Sequence, residues 1–474
     1  MSAKQHISAF IESNKSFFTH LNDAVWENPE LGFLEYKSSQ ILINALKELG
    51  FDIETNLAGI PTAFKGSWGS GKPVIAFLGE FDALPNLSQK AACAEKIPAE
   101  NSTDGHGCGH CSLGAGSIAA AAALKDYMQH NNISGTVVYF GCPAEESGCG
   151  KTFMAREGVF DDTDIAITWH PDTTNHVFNI STLANLIVEF SFKGTTSHAA
   201  ASPHLGRSAL DAAELMNVGV NYLREHIIPE ARVHYAYRDC GGGAPNVVQD
   251  SAKLLYYIRA PKTEQVLEIF PRVVCCAEGA AHMTGTSVEV NIKTALSDFI
   301  PNKVVSTVMS EAMEETGCPE FSQQAYLLAE KMQKTLTETE FKAGVSVLAE
   351  FMSYDKAAKR MEDRLIPDVF PYIPKADCMP GSTDVGDVSY IVPTAQLQAV
   401  TAAIGTPFHS WQFTAQAKSV IAHEGLIYAA KVMSLTGAKL LENPKLITDA
   451  RAELLSATGG VYQCPIPKDV KPTP

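Results

Sequence analysis

Between Val74 and Trp169 short apolar runs alternate with helix-patterned stretches, and this alternation constrains the fold more than any other feature. Val74 to Leu78, Thr136 to Phe140 and Ile165 to Trp169 are apolar and of strand length. Leu113 to Tyr127 is Ala-rich, and Lys151 to Glu157 also carries helical character. Strands that alternate with helices pack as an α/β sheet, whose ligands collect at strand ends. Upstream, Ile7, Phe10, Ile11, Phe17, Phe18 and Leu21 recur at helical spacing, as do Ile41, Leu42, Leu46 and Leu49. A loop containing Pro and Gly, Trp26 to Gly32, separates them.

From Leu183 onward the order changes. Ala184 to Lys193 reads as a strand, Arg207 to Glu225 as a helix, and Val233 to Arg238 and Lys253 to Arg259 as strands. Thr263 to Gly279 follows as a helix and Ser287 to Thr294 as a strand. That β-α-β-β-α-β order is the split ferredoxin-like unit. Segments of α/β type resume after Asn302, so the unit is an insertion. The expected domains are therefore 1–183 and 299–474, two parts of one α/β catalytic domain, around an inserted domain at 184–298. The tail after Asp449 is weakly patterned and Pro-rich, and is expected to lie extended along the surface.

Composition excludes several classes. At about 150 residues per domain, 474 residues suggest two to three domains. An apolar content of 45% supplies a sizeable core, and 19% charged residues are too few for a long disordered chain. Lys plus Arg is 37 against 53 Asp plus Glu, a net charge of −16 that repels phosphate backbones, so no nucleic acid partner is expected. Small anionic substrates stay compatible, because the local charge of a site can oppose the global one. No apolar run approaches the roughly eighteen residues of a membrane span, and Met1 to Lys15 lacks the apolar core of a signal peptide. Eleven scattered cysteines, an odd number, fit free thiols in a reducing, cytoplasmic compartment.

Five segments near strand ends could carry chemistry. Gly79 to Pro85 places Glu80 and Asp82 on one side of the chain, able to hold a metal or orient a metal-bound histidine; alone it also reads as a solvated strand end. Gly105 to Cys111 opens the Ala-rich helix, where glycines permit sharp turns and Cys108 and His110 can face one metal. The same stretch contains a C-x-x-C pair, Cys108 and Cys111, of thiol-oxidoreductase type. Redox pairs normally open a helix in a small domain behind an aromatic residue, whereas Gly107 stands here in a far larger chain. Glu145 and Glu146 follow an apolar strand with no basic residue beside them, a repulsive arrangement that cations relieve. Adjacent side chains point apart, so one can bind metal while the other reaches a water. His170 and His409 complete the group. A lone His is more often structural, but Cys108, His110, Glu146, His170 and His409 together form an N/S/O set suited to Zn²⁺ or Mn²⁺.

The order of these motifs resembles the dimetal aminoacylase/carboxypeptidase family of metallopeptidases, specifically its amidohydrolase branch. The resemblance runs through Pro29 to Gly32, Asp82 to Pro85, Gly107 to His110, Glu145-Glu146 and Trp169 to Pro171. It continues through Ser197 to Ala199, Pro245 to Val247, Gly381 to Asp384 and His409, covering nearly the whole chain. It implies a phosphorylase/hydrolase-like α/β catalytic domain with a ferredoxin-like lid that is also the dimerisation domain. It further implies two divalent ions, Mn²⁺ or Zn²⁺, held by Cys108, His110, Glu146, His170 and His409. Glu145 becomes the general base and Asp82 the carboxylate that orients a ligand. His198 would stabilise the oxyanion in a partner subunit's site, while Asn246 and Arg259 grip the substrate carboxylate; without the resemblance, Arg259 reads as a strand-end surface charge. The expected substrate is a small anionic N-acyl amino acid, p-aminobenzoyl-glutamate, cleaved to p-aminobenzoate and glutamate in a homodimer or a heterodimer with a homologous subunit. Another N-acyl amino acid, a dipeptide, or a role as partner subunit with little activity alone are the alternatives. Two positions depart from the pattern: Cys111 replaces an Asp usual in the branch, and Glu80 stands where carboxypeptidase relatives have a metal-binding His.

Overall fold

A computed structural model describes residues 1–375 and 377–473. Its strands, in chain order, are β1 (Asp52–Thr55), β2 (Phe64–Ser70), β3 (Val74–Glu80), β4 (Gly135–Cys142), β5 (Ile165–Asp172), β6 (His176–Val177), β7 (Ser181–Thr182), β8 (Ala184–Lys193), β9 (Arg232–Asp239), β10 (Ser251–Ala260), β11 (Ser287–Leu296), β12 (Cys378–Met379) and β13 (Thr394–Val400). The larger sheet has the order β1-β2-β4-β3-β5-β13-β6. Its centre, β4-β3-β5-β13, is parallel, and antiparallel strands flank it. The parallel strands are buried almost throughout, which explains why β3, β4 and β5 read as continuous apolar runs and not as alternations, whereas β13 buries two glutamines, Gln396 and Gln398.

The Ala-rich stretch forms the helix His110–Asn131, buried along nearly its whole length. It packs against β3 and against helix Val420–Glu442. Small side chains make this close approach possible: a Cβ added at Gly116 would sit 2.8 Å from the Trp169 ring of β5. Because β3, β4, β5 and β13 run in one direction, their carboxyl ends open on a common edge, beside the amino end of this helix. That edge is where a sheet of this kind takes its ligands.

The second sheet is antiparallel, in the order β11-β8-β10-β9. Helices Ala209–Leu223 and Thr263–Thr284 cover one face, giving the β-α-β-β-α-β order. Leu254, Tyr256 and Ile258 alternate inward along β10 and meet Met216, Val220, Val266 and Val273 from the helices.

After this unit come helices without a signature in the sequence pattern above: Lys303–Thr316, Gln323–Gln333, Glu338–Ala349 and Tyr354–Arg360. The tail also departs from the extended surface course expected of it. Helix Pro444–Thr458 runs past Asp449, and the Pro-rich end then docks on the body of the protein. Ile466 is buried, Tyr462 donates to Asp387 at 2.8 Å, and Arg156 donates to the carbonyls of Pro467 and Val470, both at 2.9 Å. Long-range hydrogen bonds hold this segment, so it needs no local periodicity. Among the described residues no helix is long and apolar enough to cross a membrane.

Candidate metal centre

Each candidate ligand stands near a strand end, near a helix start or in the loop that follows a strand. Glu80 ends β3 and Asp82 follows; Glu145 and Glu146 follow β4; His170 lies near the end of β5; His409 lies in the loop after β13. Cys108 precedes the Ala-rich helix and His110 is its first residue. Two non-glycine residues take left-handed backbone conformations here, Ala144 (φ 59°) and His409 (φ 56°), as chains do where function fixes a side chain's direction. Gly107 makes room for the second: its carbonyl accepts the His409 N–H at 3.0 Å, and a Cβ there would meet Leu87 at 2.5 Å. Gly32 does the same for the first, lying so close that its Cβ would be 2.9 Å from that of Ala144.

The five side chains expected as ligands converge. The donor atoms of Cys108, His110 and His170 lie within 4.8 Å of one another, and so do those of Cys108, Glu146 and His409. Two cages thus share the Cys108 sulfur. A third grouping of the same compactness joins Glu80, His110 and Glu145. Cys108 Sγ is 3.3 Å from His170 Nε2, and His409 Nε2 is 3.4 Å from Glu146 Oε2. Asp82 organises the group from behind. Its Oδ1 lies 2.8 Å from His110 Nδ1 and its Oδ2 accepts the Glu146 backbone N–H at 2.9 Å, which leaves His110 Nε2 turned toward the cages. Glu145 Oε2 lies 3.9 Å from that nitrogen.

The electrostatics are those of a cluster built around cations. Burial, then the Glu80 and Glu146 carboxylates, push the Glu145 carboxyl well above its ordinary range. For His110, burial opposes protonation, but Cys108, Asp82 and Glu80 outweigh it and drive the imidazole pKa well up. Glu146 Oε1 is buried and makes no hydrogen bond among the described residues, and neither does His110 Nε2, although Glu80 Oε2 lies 3.3 Å from it. Unpaired buried donors and acceptors are rare in folded proteins. Divalent ions of the zinc or manganese type would give both atoms a partner and offset the crowded carboxylates, so the residues present fit such a group.

The remaining expected residues lie elsewhere. Arg259 is on the antiparallel sheet, 3.3 Å from Ser382 Oγ, and its buried Nε is unpaired among the described residues. His198 and Asn246 are exposed on adjoining loops of the same unit, with the Ala199 N–H bonded to the Asn246 carbonyl at 2.9 Å. Neither contributes to the cavity that Cys108, Glu145, Glu146, His170 and His409 line within one chain. Cys111 turns away from the cages, its sulfur 3.8 Å from the Ala417 carbonyl, and burial pushes its thiol up to about 12. A redox pair needs an accessible, easily ionised thiol, so the C-x-x-C reading loses its support.

Two buried groups, Lys151 and Glu35, had no assigned role in the sequence, and Glu80 had none fixed by the resemblance. Lys151 is fully buried, with Nζ 2.6 Å from both Glu80 Oε1 and Asp384 Oδ1, while its backbone N–H donates to Asp384 Oδ2 at 2.8 Å. Burial opposes its charge, but Asp384 and Glu80 overcome this and raise its pKa. Glu80, unassigned in the sequence, therefore spans from this lysine to His110, 3.3 Å away. Glu35 Oε1 accepts the Ala144 N–H at 2.8 Å and so fixes the turn that presents Glu145.

A buried cluster of thiol, imidazole and carboxylate donors at the carboxyl ends of parallel strands, with one carboxylate beside it, is the layout of a metallohydrolase. Residues 76–353 match the peptidase family M20/M25/M40. Among its relatives, the B subunit of p-aminobenzoyl-glutamate hydrolase from Escherichia coli is 44% identical over 98% of this chain and 97% of its own. The Xaa-Arg dipeptidase of Mus musculus is 28% identical over 91% of this chain and 88% of its own. In fold, the chain is similar to a dinuclear metal-binding peptidase of the M20 family from Bacillus subtilis, with a TM-score of 0.54, 18% identity, and coverage of 89% and 98%. The chain belongs to the peptidase family M20/M25/M40 and is a hydrolase of that family.

Proposed function

We propose that this chain hydrolyses the amide bond of an N-acyl amino acid, with p-aminobenzoyl-glutamate as substrate and p-aminobenzoate and glutamate as products. The observation that carries the reading is a carboxylate, Glu145, standing beside two donor cages that share Cys108 without belonging to either. The substrate assignment rests on the 44% identity to the Escherichia coli p-aminobenzoyl-glutamate hydrolase chain.

In this reading Cys108, His110 and His170 hold one divalent ion, and Cys108, Glu146 and His409 hold the other. When bound, Mn²⁺ or Zn²⁺ would supply Lewis acidity, polarising the scissile carbonyl and lowering the pKa of water. Asp82 keeps the His110 ring in the orientation that presents Nε2. Glu145 accepts the proton of the attacking water and returns it to the leaving nitrogen, so one water is consumed and an acid and an amine are released. Arg259, with its forked guanidinium, and Asn246 bind the carboxylate of the amino-acid half. His198 donates to the developing oxyanion from a partner subunit. Its exposure, and its absence from the cavity lining of its own chain, support that arrangement. The inserted unit at 184–298 serves as lid and dimerisation domain; Leu215, Val218, Tyr222 and Met283 expose apolar surface on it. The partner is a second copy or a homologous subunit. The Escherichia coli hydrolase has a second, related kind of subunit, 24% identical to this chain over 66% of it, which favours the latter. A cytoplasmic location belongs to the same proposal, supported by eleven cysteines that are all free.

A second reading, hydrolysis of dipeptides, is favoured by the likeness to Xaa-Arg dipeptidase. The kcat/KM values for p-aminobenzoyl-glutamate and an Xaa-Arg panel decide between them. Glu145→Gln should retain its metal and lose roughly 10²- to 10⁴-fold in kcat; unchanged turnover would remove Glu145 from the mechanism. Mixing Glu145→Gln with His198→Ala chains should restore roughly a quarter of the activity in a homodimer, since one site in each mixed dimer is then complete. No recovery, with activity gained on adding a homologous subunit, assigns the heterodimer.

A further inference from the structure

The cavity continues past the donor cages along a row of side chains set by strand register. Gln398 of β13 pairs with His170 of β5 on one side and with His176 of β6 on the other. Residues opposite one another in a sheet project from the same face, at steps of about 4.8 Å. His170, Gln398 and His176 therefore form one row, and its far end stands roughly 10 Å from the cages. All three line a cavity of about 500 Å³.

The far end is aromatic. The His176 ring lies 5.0 Å from that of Phe351, which stacks on Phe370 at 4.2 Å. Burial lowers the His176 pKa to about 4, so this ring is neutral at neutral pH. The middle of the row is polar and unsatisfied. Gln398 is only 6% exposed, and its Oε1 makes no hydrogen bond among the described residues. Gln398 lines the cavity that leads to the reacting centre, and a buried amide oxygen left without a donor at its wall is placed to meet one on a ligand.

We propose that Gln398 reads the acyl half of the substrate: an aromatic acyl group lies along the row toward His176 and Phe351 and donates a hydrogen bond from a ring amine to Gln398 Oε1. This rests on the reading of the chain as an N-acyl amino acid hydrolase and names the residue that selects the acyl group. It makes Gln398 a specificity-determining residue with no part in proton transfer.

The test separates binding from hydrolysis. Calorimetry would measure p-aminobenzoate and benzoate, which differ only in the ring amine, on the metal-loaded protein and on Gln398→Leu and Gln398→Glu. The unaltered protein should favour p-aminobenzoate by about tenfold, the worth of one well-placed hydrogen bond. In Gln398→Leu the preference should shrink to about twofold or less with benzoate affinity retained, while Gln398→Glu, which keeps an acceptor, preserves it. The kcat/KM ratio of p-aminobenzoyl-glutamate to benzoyl-glutamate should fall in parallel. A preference that survives in Gln398→Leu, or is absent from the unaltered protein, overturns the assignment. If the ligand preference behaves as expected but neither acyl-glutamate is hydrolysed, the hydrolase reading fails and the Gln398 assignment stands.

Discussion

Asp82 lies behind the candidate metal centre, and replacing it by Asn tests the proposal that it orients a ligand there. Its two oxygens serve two donors, His110 Nδ1 at 2.8 Å and the Glu146 N–H at 2.9 Å. Asn keeps the shape but has one acceptor oxygen, so one of these buried N–H groups faces an amide NH₂ and goes unpaired. An unpaired buried donor costs about 1–3 kcal/mol. Loss of a carboxylate that orients a ligating histidine lowers metal affinity by roughly 10- to 100-fold, which converts to about 1.4–2.7 kcal/mol. The two estimates overlap near ~2 kcal/mol. Asp82→Asn should therefore lose about that much in urea unfolding of the metal-free protein, and metal affinity should fall about 30-fold in competition with a chelator. Metal affinity within about twofold of the unaltered protein would refute the orienting role.

Other consequences concern the buried charges around the cages. Lys151→Met leaves Glu80 and Asp384 buried without their cation, and should cost about 3–5 kcal/mol in chemical denaturation; a loss under about 1 kcal/mol would contradict the pairing. Glu35 has its pKa raised from 4.5 to about 8 by burial and then by Asp82. The folded metal-free chain thus keeps a proton that the unfolded chain releases, so this contribution is full below pH 4.5 and is lost as pH rises through about 8. Glu35→Gln should flatten the stability curve across that window and be the more stable protein at its upper end. Denaturation curves that keep the same pH dependence in both proteins would show that Glu35 is not the group responsible.

The parts of this protein that were legible in its sequence are those encoded locally. Apolar runs marked β3, β4 and β5, the β-α-β-β-α-β order of segments marked the antiparallel unit, and the chemical residues stood where the strands end. Cys108, His110, Glu146, His170 and His409 could be grouped because metal donors of compatible softness recurred at such ends. Lys151 shows what was hidden. Within a helical stretch a lysine reads as solvent-facing, and its burial depends on Asp384, 233 positions away. Glu35 and Gln398 are silent for the same reason: one anchors a turn more than a hundred residues distant, and the other is a polar residue in a strand whose partners only the fold supplies. The tail misled because segments held by Tyr462–Asp387 and Arg156–carbonyl contacts need no periodic pattern of their own.

Metal bound per chain, measured by mass spectrometry on the protein and on two single variants, tests the shared-sulfur arrangement most directly. With Cys108 common to both cages, the unaltered chain should hold about two divalent ions, His409→Ala about one, and Cys108→Ala close to none after mild chelation. Two ions retained firmly in Cys108→Ala would contradict the account.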